Sequence, residues 1–212
     1  MSETFLSPDL RCPRQHGAVS DSGGRRAVFL DRDGVLIPDT GYASDPDRLE
    51  LLPGVGAAAA KLRTAGFRLV VVTNQSGIAR GMFSEGRLHE MHEALRRALA
   101  AFQVSLDGIY YCPHHPEAQE LRYSLDCDHR KPNPGMLRSA AEALKLDLSS
   151  SWLIGDRHGD LLAGKHSGCR VVLVRTGEPV TPEALQLADL VCDDLGEAAD
   201  AILRTEDAAH TS

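Results

Sequence analysis

From position 27 onward, short apolar runs alternate with longer stretches of helical periodicity. The runs are Ala27–Leu30, then 69–72, 109–111, 152–154, 171–174 and 190–191. Between them, apolar residues recur at helical spacing near 54–66, 84–102, 134–146, 158–166, 181–188 and 195–204. Near-continuous apolar strands separated by helices predict a mainly parallel sheet covered on both faces, an α/β fold of three layers. Residues 1–25 are rich in Ser, Gly, Pro and Arg and carry no apolar period, so they read as a flexible arm. The helical pattern fades after 204, leaving 26–205 as one domain and 206–212 as a flexible tail.

Open parallel sheets bind ligands just past the carboxyl ends of their strands. The residues at those predicted ends are polar: Asp31 and Asp33 after the first run, Thr73 and Asn74 after the second, Asp156 after the fourth. Composition narrows the class of ligand. The chain has 212 residues with a formal net charge of −7, which disfavours a phosphate backbone as partner. No apolar run approaches the ~20 residues that cross a bilayer, and Asp31 interrupts the apolar stretch after Arg25-Arg26 too early for a signal core. Five scattered cysteines do not make a disulfide framework. The expectation is a cytoplasmic monomer acting on a small molecule, with neither nucleic acid nor membrane as partner.

Four short segments carry candidate chemistry. In Phe29-Leu30-Asp31-Arg32-Asp33-Gly34, two carboxylates two residues apart can face one site if Gly34 lets the backbone turn, and such a pair suits an oxygen-ligated Mg²⁺. Thr73-Asn74-Gln75-Ser76-Gly77 offers a hydroxyl beside backbone N–H groups, a small anion cradle. Arg130 and Lys131 precede a helix start marked by Asn133 and Pro134, so cations and a helix N-terminus coincide. Gly155-Asp156-Arg157-His158-Gly159-Asp160 puts carboxylates at a strand end and one turn into the next helix. Each has a bland counterpart: an Asp-Gly turn, an ST-turn, solvated cations, an acidic helix start. Four unrelated turns would not account for their order and spacing.

In that order the segments resemble the motifs of the haloacid dehalogenase (HAD) superfamily of phosphotransferases, matched at Asp31-Arg32-Asp33-Gly34, Thr73-Asn74, Lys131, and Gly155-Asp156 with Asp160. The resemblance implies that Asp31 attacks phosphorus, while Asp33 protonates the leaving alkoxide and then activates water. It implies Mg²⁺ on Asp31, the Asp33 carbonyl and Asp156, with Thr73 and Lys131 holding the phosphoryl oxygens and Asp160 supporting from behind.

Cys112-Pro113-His114 and Cys127-Asp128-His129 form two Cys-x-His pairs, a ligand set for a structural Zn²⁺ that would pin the loop 112–132. The bland reading is reduced cysteines beside surface histidines. HAD phosphatases with a zinc loop at this place include the heptose 1,7-bisphosphate 7-phosphatases and the related histidinol-phosphate phosphatases. The likeness to the heptose enzymes runs from about 27 to 191 and includes Gly41-Tyr42, the stretch 73–81, Cys112-Pro113-His114-His115-Pro116 and Val174-Arg175-Thr176-Gly177. That family usually carries Cys where His129 stands, and His115 competes as a ligand. The resemblance further implies substrate contacts on Asp39, Thr40, Gly41, Tyr42, Asn74, Gln75, Ser76, Arg130 and Arg157, with a sugar bisphosphate as substrate in nucleotide-activated heptose synthesis. Arg130 suits the second phosphate on chemical grounds as well. Only 41 residues separate Asp33 from Asn74 and 57 separate Asn74 from Lys131, which leaves no room for a cap domain.

Other patterns fall away. Gly54-Val55-Gly56 follows Pro53 rather than a strand, which defeats a dinucleotide reading. His89-Glu90-Met91-His92 is one residue short of a zinc-protease helix, and Ser76 lacks the glycine of a nucleophile elbow. Three rivals stay open: histidinol-phosphate hydrolysis, an inactive zinc-bearing interaction module, and a 3′-phosphatase of nucleic-acid ends. The last is disfavoured by the acidity.

Overall fold

The structure, a computed structural model, describes residues 12, 14–16, 25–41, 45–118 and 120–210. In chain order the strands are β1 (Arg14–His16), β2 (Ala27–Leu30), β3 (Arg68–Asn74), β4 (Gly108–Cys112), β5 (Trp152–Gly155), β6 (Arg170–Val174) and β7 (Leu190–Cys192). The helices are α1 (Val55–Thr64), α2 (Ser76–Ala79), α3 (Glu85–Ala100), α4 (Gly135–Leu144), α5 (His158–Ser167), α6 (Pro182–Leu187) and α7 (Leu195–His210).

The strands form one sheet in the order β1-β4-β3-β2-β5-β6-β7. All neighbours run parallel except the edge pair β1 and β4. Alternation along β2 explains the three layers: Val28 and Leu30 enter a core with α1, α3 and α7, while Ala27 and Phe29 enter the opposite core with α4, α5 and α6. Every residue of β2 is fully buried, as a central strand covered on both faces must be. Local chemistry sets the helix ends. Ser84 caps α3 by accepting from Arg87 N, and Thr181 caps α6 by accepting from Ala184 N with Pro182 at the first turn. Gly168 closes α5 in the left-handed region, at φ 87°.

Two boundaries differ from expectation. The arm is structured at least at Cys12, which is buried, and at Arg14–His16, which extends the sheet beyond β4. Three residues on an edge carry too little pattern to read as a strand in advance. At the other end α7 continues to His210 instead of stopping near 205. Glu206 anchors it, accepting from Arg26 Nη1 at 2.8 Å and from Trp152 Nε1 at 3.2 Å, and pairing with Arg170. Among the described residues no inserted cap domain appears, and no helix is long and apolar enough to cross a membrane.

Candidate active site

Asp31 leaves the end of β2 with its N–H bonded to Ile154 O of β5 at 3.0 Å, so its carboxylate rises between the two central strands. The chain then folds back: Leu36 and Ile37 N–H both donate to Arg32 O, and Gly34 sits at φ 83°, the turn its lack of a side chain permits. Asn74 ends β3 and clasps a residue 57 positions away. Its Nδ2 donates to Lys131 O and its Oδ1 accepts from Lys131 N, both at 3.0 Å. This reciprocal pair fixes the Lys131 backbone and aims its side chain inward. There Nζ meets Asp31 Oδ1 at 2.7 Å, Asp160 Oδ1 at 2.6 Å and Val72 O at 2.9 Å.

Burial would drive the Lys131 proton off, but the Asp160 and Asp31 carboxylates outweigh it and keep the amine charged. For Asp31 the balance runs the other way. Burial, with Asp160, Asp156 and Asp33 adding repulsion against the pull of Lys131, pushes its pKa up to about 7. Asp156, also raised mainly by burial and then by Asp160, comes to about 6. Carboxylates held this far from their ordinary range want a cation.

Side-chain oxygens of Asp31, Asp156 and Asp160 lie within 4.8 Å of one another. Asp160 has both oxygens engaged, Oδ1 on Lys131 and Oδ2 on Arg157 N at 3.1 Å. Asp156 Oδ2 accepts from Glu178 N at 3.0 Å, whereas its Oδ1 is buried with no hydrogen-bond partner. An orphaned buried carboxylate oxygen beside Asp31 is the donor a hard divalent cation takes. The residues therefore fit a magnesium ion at Asp31 and Asp156. The Asp33 side chain turns to other partners, which leaves only its backbone carbonyl, the expected ligand, for the ion: Arg32 Nη2 donates to its Oδ2 at 2.9 Å and Gln75 Nε2 at 3.0 Å. Gln75 Nε2 also reaches Thr73 Oγ1 at 2.9 Å, linking the two motifs.

These groups line a cleft of about 500 Å³ with Asp39, Gly41, Asn74, Ser76, Arg130 and Arg157 at its walls. Asp156 lies below the floor rather than on it. Thr40 is exposed and outside the lining, and Tyr42 lies outside the described residues. Arg157 is pinned by Asp39 and by Glu178 at 3.2 Å. Glu178 comes to the site without a motif of its own; only the adjoining Val174-Arg175-Thr176-Gly177 stretch, whose Gly177 also lines the cleft, pointed there. Arg32, 1% exposed, is a second omission, since an arginine between two aspartates reads as a surface residue.

The cysteine site departs from the expected set. Cys12, Cys112, His114 and Cys127 bring their ligand atoms within 4.8 Å of one another, all buried. His129 instead places Nε2 2.9 Å from Ser139 Oγ of α4, and His115 stays outside, accepting from Glu117 N at 3.1 Å. Cys12 comes into this cluster because β1 runs back along β4. Three sulfurs and one imidazole in a closed, buried group match a structural zinc donor set. Arg130 Nη1 donates to His114 O at 3.1 Å, so this cluster and the cleft share one loop.

Residues 129–198 match the family model of HAD-hydrolase-like proteins. The D-glycero-beta-D-manno-heptose-1,7-bisphosphate 7-phosphatase of Escherichia coli K12 is 46% identical over 185 residues, covering 87% of this chain and 97% of that protein. The enzyme of the same name from Photorhabdus laumondii is 47% identical over 180 residues, 84% and 96% of the two chains. Among solved structures, D,D-heptose 1,7-bisphosphate phosphatase from B. bronchiseptica, complexed with magnesium and phosphate, superposes with a TM-score of 0.74 at 36% identity, over 85% of this chain and 99% of that one. Identity at this level along nearly the whole length of such relatives makes the chain a member of the heptose 1,7-bisphosphate 7-phosphatase family of HAD-like hydrolases.

Proposed function

We propose that this chain hydrolyses the 7-phosphate of D-glycero-β-D-manno-heptose 1,7-bisphosphate, with Mg²⁺ at Asp31, the Asp33 carbonyl and Asp156 and Zn²⁺ at the cysteine cluster. The observation that carries the proposal is the pairing of Asp31 with Lys131 at 2.7 Å, beside a buried Asp156 oxygen that lacks a partner. The substrate for which the relatives are named supplies the sugar. Bound Mg²⁺ would neutralise phosphoryl oxygens in a cleft already crowded with carboxylates.

The chain's own residues do the rest. An Asp31 carboxylate oxygen forms a bond to phosphorus as the bond from phosphorus to the C7 oxygen breaks. Asp33 gives its proton to that departing oxygen, which sugar alkoxides need because they leave poorly. Asp33 then takes a proton from water, the water oxygen bonds to phosphorus, and the bond to Asp31 breaks to release phosphate. Lys131 and Thr73 hold the equatorial oxygens where charge spreads. Arg130 faces the far phosphate, Arg157 can join it on leaving Asp39 and Glu178, and Ser76, Asp39 and Gly41 face the sugar. A reducing compartment such as cytoplasm would keep the three thiols free for metal.

Phosphate release from a panel of sugar phosphates and histidinol phosphate tests the proposal, with Asp31→Asn as control. The heptose bisphosphate is expected to give the highest kcat/KM. A preference for histidinol phosphate would replace the substrate, and appreciable turnover by Asp31→Asn would remove the nucleophile.

A further inference from the structure

The N-terminal segment has no part in the chemistry above, yet one of its side chains is buried among groups that bind metal. We propose that Cys12 is the fourth metal ligand, and that the metal thereby staples the N-terminal strand to the loop that presents Arg130 and Lys131. This rests on the zinc reading and adds to it which residues hold the ion and what they join.

Backbone register supplies the first argument. β1 pairs antiparallel with β4 through Arg14 with Tyr110, Gln15 with Ile109 and His16 with Gly108. Continued in the same register, Cys12 falls opposite Cys112, the last residue of β4. Directly opposed residues of an antiparallel pair hold their Cβ atoms about 5 Å apart, a span that one tetrahedral ion bridges.

Side-chain positions supply the second. Cys12 Sγ lies 3.3 Å from His114 Nδ1 and 3.3 Å from Cys127 Sγ, and Cys112 Sγ lies 3.7 Å from the same His114 nitrogen. Of the two histidines that could replace Cys12, His129 places Nε2 on Ser139 and keeps a hydrogen bond to Cys127 alone, outside the group of four, while His115 turns to the Glu117 backbone and Arg80. A Cys₃His set binds Zn²⁺ with three thiolates instead of the two that the loop alone offers.

The mechanical consequence follows from the chain path. Cys112 ends β4, Cys127 lies three residues before Arg130, and Arg130 bonds to His114 O. An ion on all four residues ties β1, the end of β4 and the start of the catalytic Lys131 segment together. A three-residue edge strand is too short to hold by its ladder alone, so its order should depend on the metal.

The test compares wild type, Cys12→Ser and His129→Ala by zinc per chain and by the thiolate-to-metal charge-transfer band after cobalt substitution. Wild type is expected to hold one zinc. Cys12→Ser should lose about one third of the band, as three thiolates become two, and bind zinc at least roughly tenfold more weakly. His129→Ala should match wild type. Wild type that binds no zinc would sink the underlying zinc reading. A Cys12→Ser band equal to wild type, with His129→Ala impaired, would overturn the Cys12 assignment and leave zinc standing. Should Cys12→Ser fail to fold, alkylation of the wild type decides: chelation should expose Cys12 together with Cys112 and Cys127 but not Cys169, and an unchanged Cys12 rate would refute the proposal.

Discussion

Lys131 Nζ and Asp31 Oδ1 meet at 2.7 Å with both side chains almost fully buried, although 100 residues separate them in the chain. The ammonium compensates Asp31 and Asp160 together, so its loss leaves two buried carboxylates opposed by nothing of their own size. Lys131→Met should lower kcat by about 10²–10³ or more, the scale of losing one preorganised charge at the reacting group. It should also destabilise the metal-free protein by about 3–5 kcal/mol at pH 8. That second loss should shrink near pH 5, where the stranded Asp31 carboxylate takes up a proton. Melting curves of both proteins at the two pH values check it; a pH-independent difference would mean that the lysine acts through packing alone.

The raised carboxylates set a pH dependence of the opposite sense from the usual acid denaturation. Asp31 titrates near 7 and Asp156 near 6 in the folded chain, against 3.8 for an ordinary aspartate. Between those limits the native state holds protons that the unfolded state releases. The contribution of these two groups to stability is therefore present below about pH 4 and is lost as pH rises through 6 and 7. Magnesium reverses the loss, because it favours the ionised pair. The shift in Tm on adding Mg²⁺ should be small at pH 5.5 and large at pH 8. An equal shift at both pH values would show that the ion binds elsewhere.

How much of this was readable in advance depends on the range of each signal. Asp31, Asp33, Thr73, Lys131 and Asp156 sit where predicted strands end or a helix begins, so local pattern and the rule for parallel sheets found them together. The four-residue helix α2 is too short to show a period, and the extension of α7 to His210 is a boundary effect, decided by the packing of Glu206 on Arg26 and Trp152. Cys12 was beyond reach for a different reason. Its partner Cys112 is 100 residues distant, and β1 is too short to announce the pairing. His129, two residues from Cys127, looked better placed by spacing alone. Spacing cannot say that Ser139 holds it. Asp160 was expected to support from behind, and it does touch Lys131 directly, at 2.6 Å.

Two glycines hem the Asp156 carboxylate, and one gives a clean perturbation. A Cβ at Gly177 would fall 2.0 Å from Asp156 Oδ2, too close for any adjustment short of moving the carboxylate. Gly177→Ala should therefore turn Asp156 away from Asp31. Calorimetric titration should show weaker Mg²⁺ binding by at least about tenfold, in line with disturbing a ligand's support, while circular dichroism stays unchanged. Gly34→Ala would strike the same oxygen at 2.6 Å but also strain a backbone at φ 83°. It should cost a further 1–2 kcal/mol or so in stability that Gly177→Ala does not. Mg²⁺ affinity unaltered in Gly177→Ala would dissociate Asp156 from the ion.

Arg130 lines the cleft while its Nη1 is held by His114 O at 3.1 Å, so its other nitrogens can face a second phosphate without the side chain having to be ordered on binding. A contact with the non-reacting phosphate is made equally in the ground and transition states, and such uniform binding appears in KM rather than kcat. Arg130→Ala should raise KM for the heptose bisphosphate by roughly 10–100-fold, the equivalent of one charge-assisted hydrogen bond of about 1.5–3 kcal/mol. The kcat should change little. A sugar carrying only the 7-phosphate offers no second anion, so its KM should barely move. Steady-state kinetics on both substrates separate the cases. Equal loss on the two would place Arg130 at the reacting phosphate beside Lys131, and the far phosphate would then fall to Arg157, which must first leave Asp39 and Glu178 to reach it.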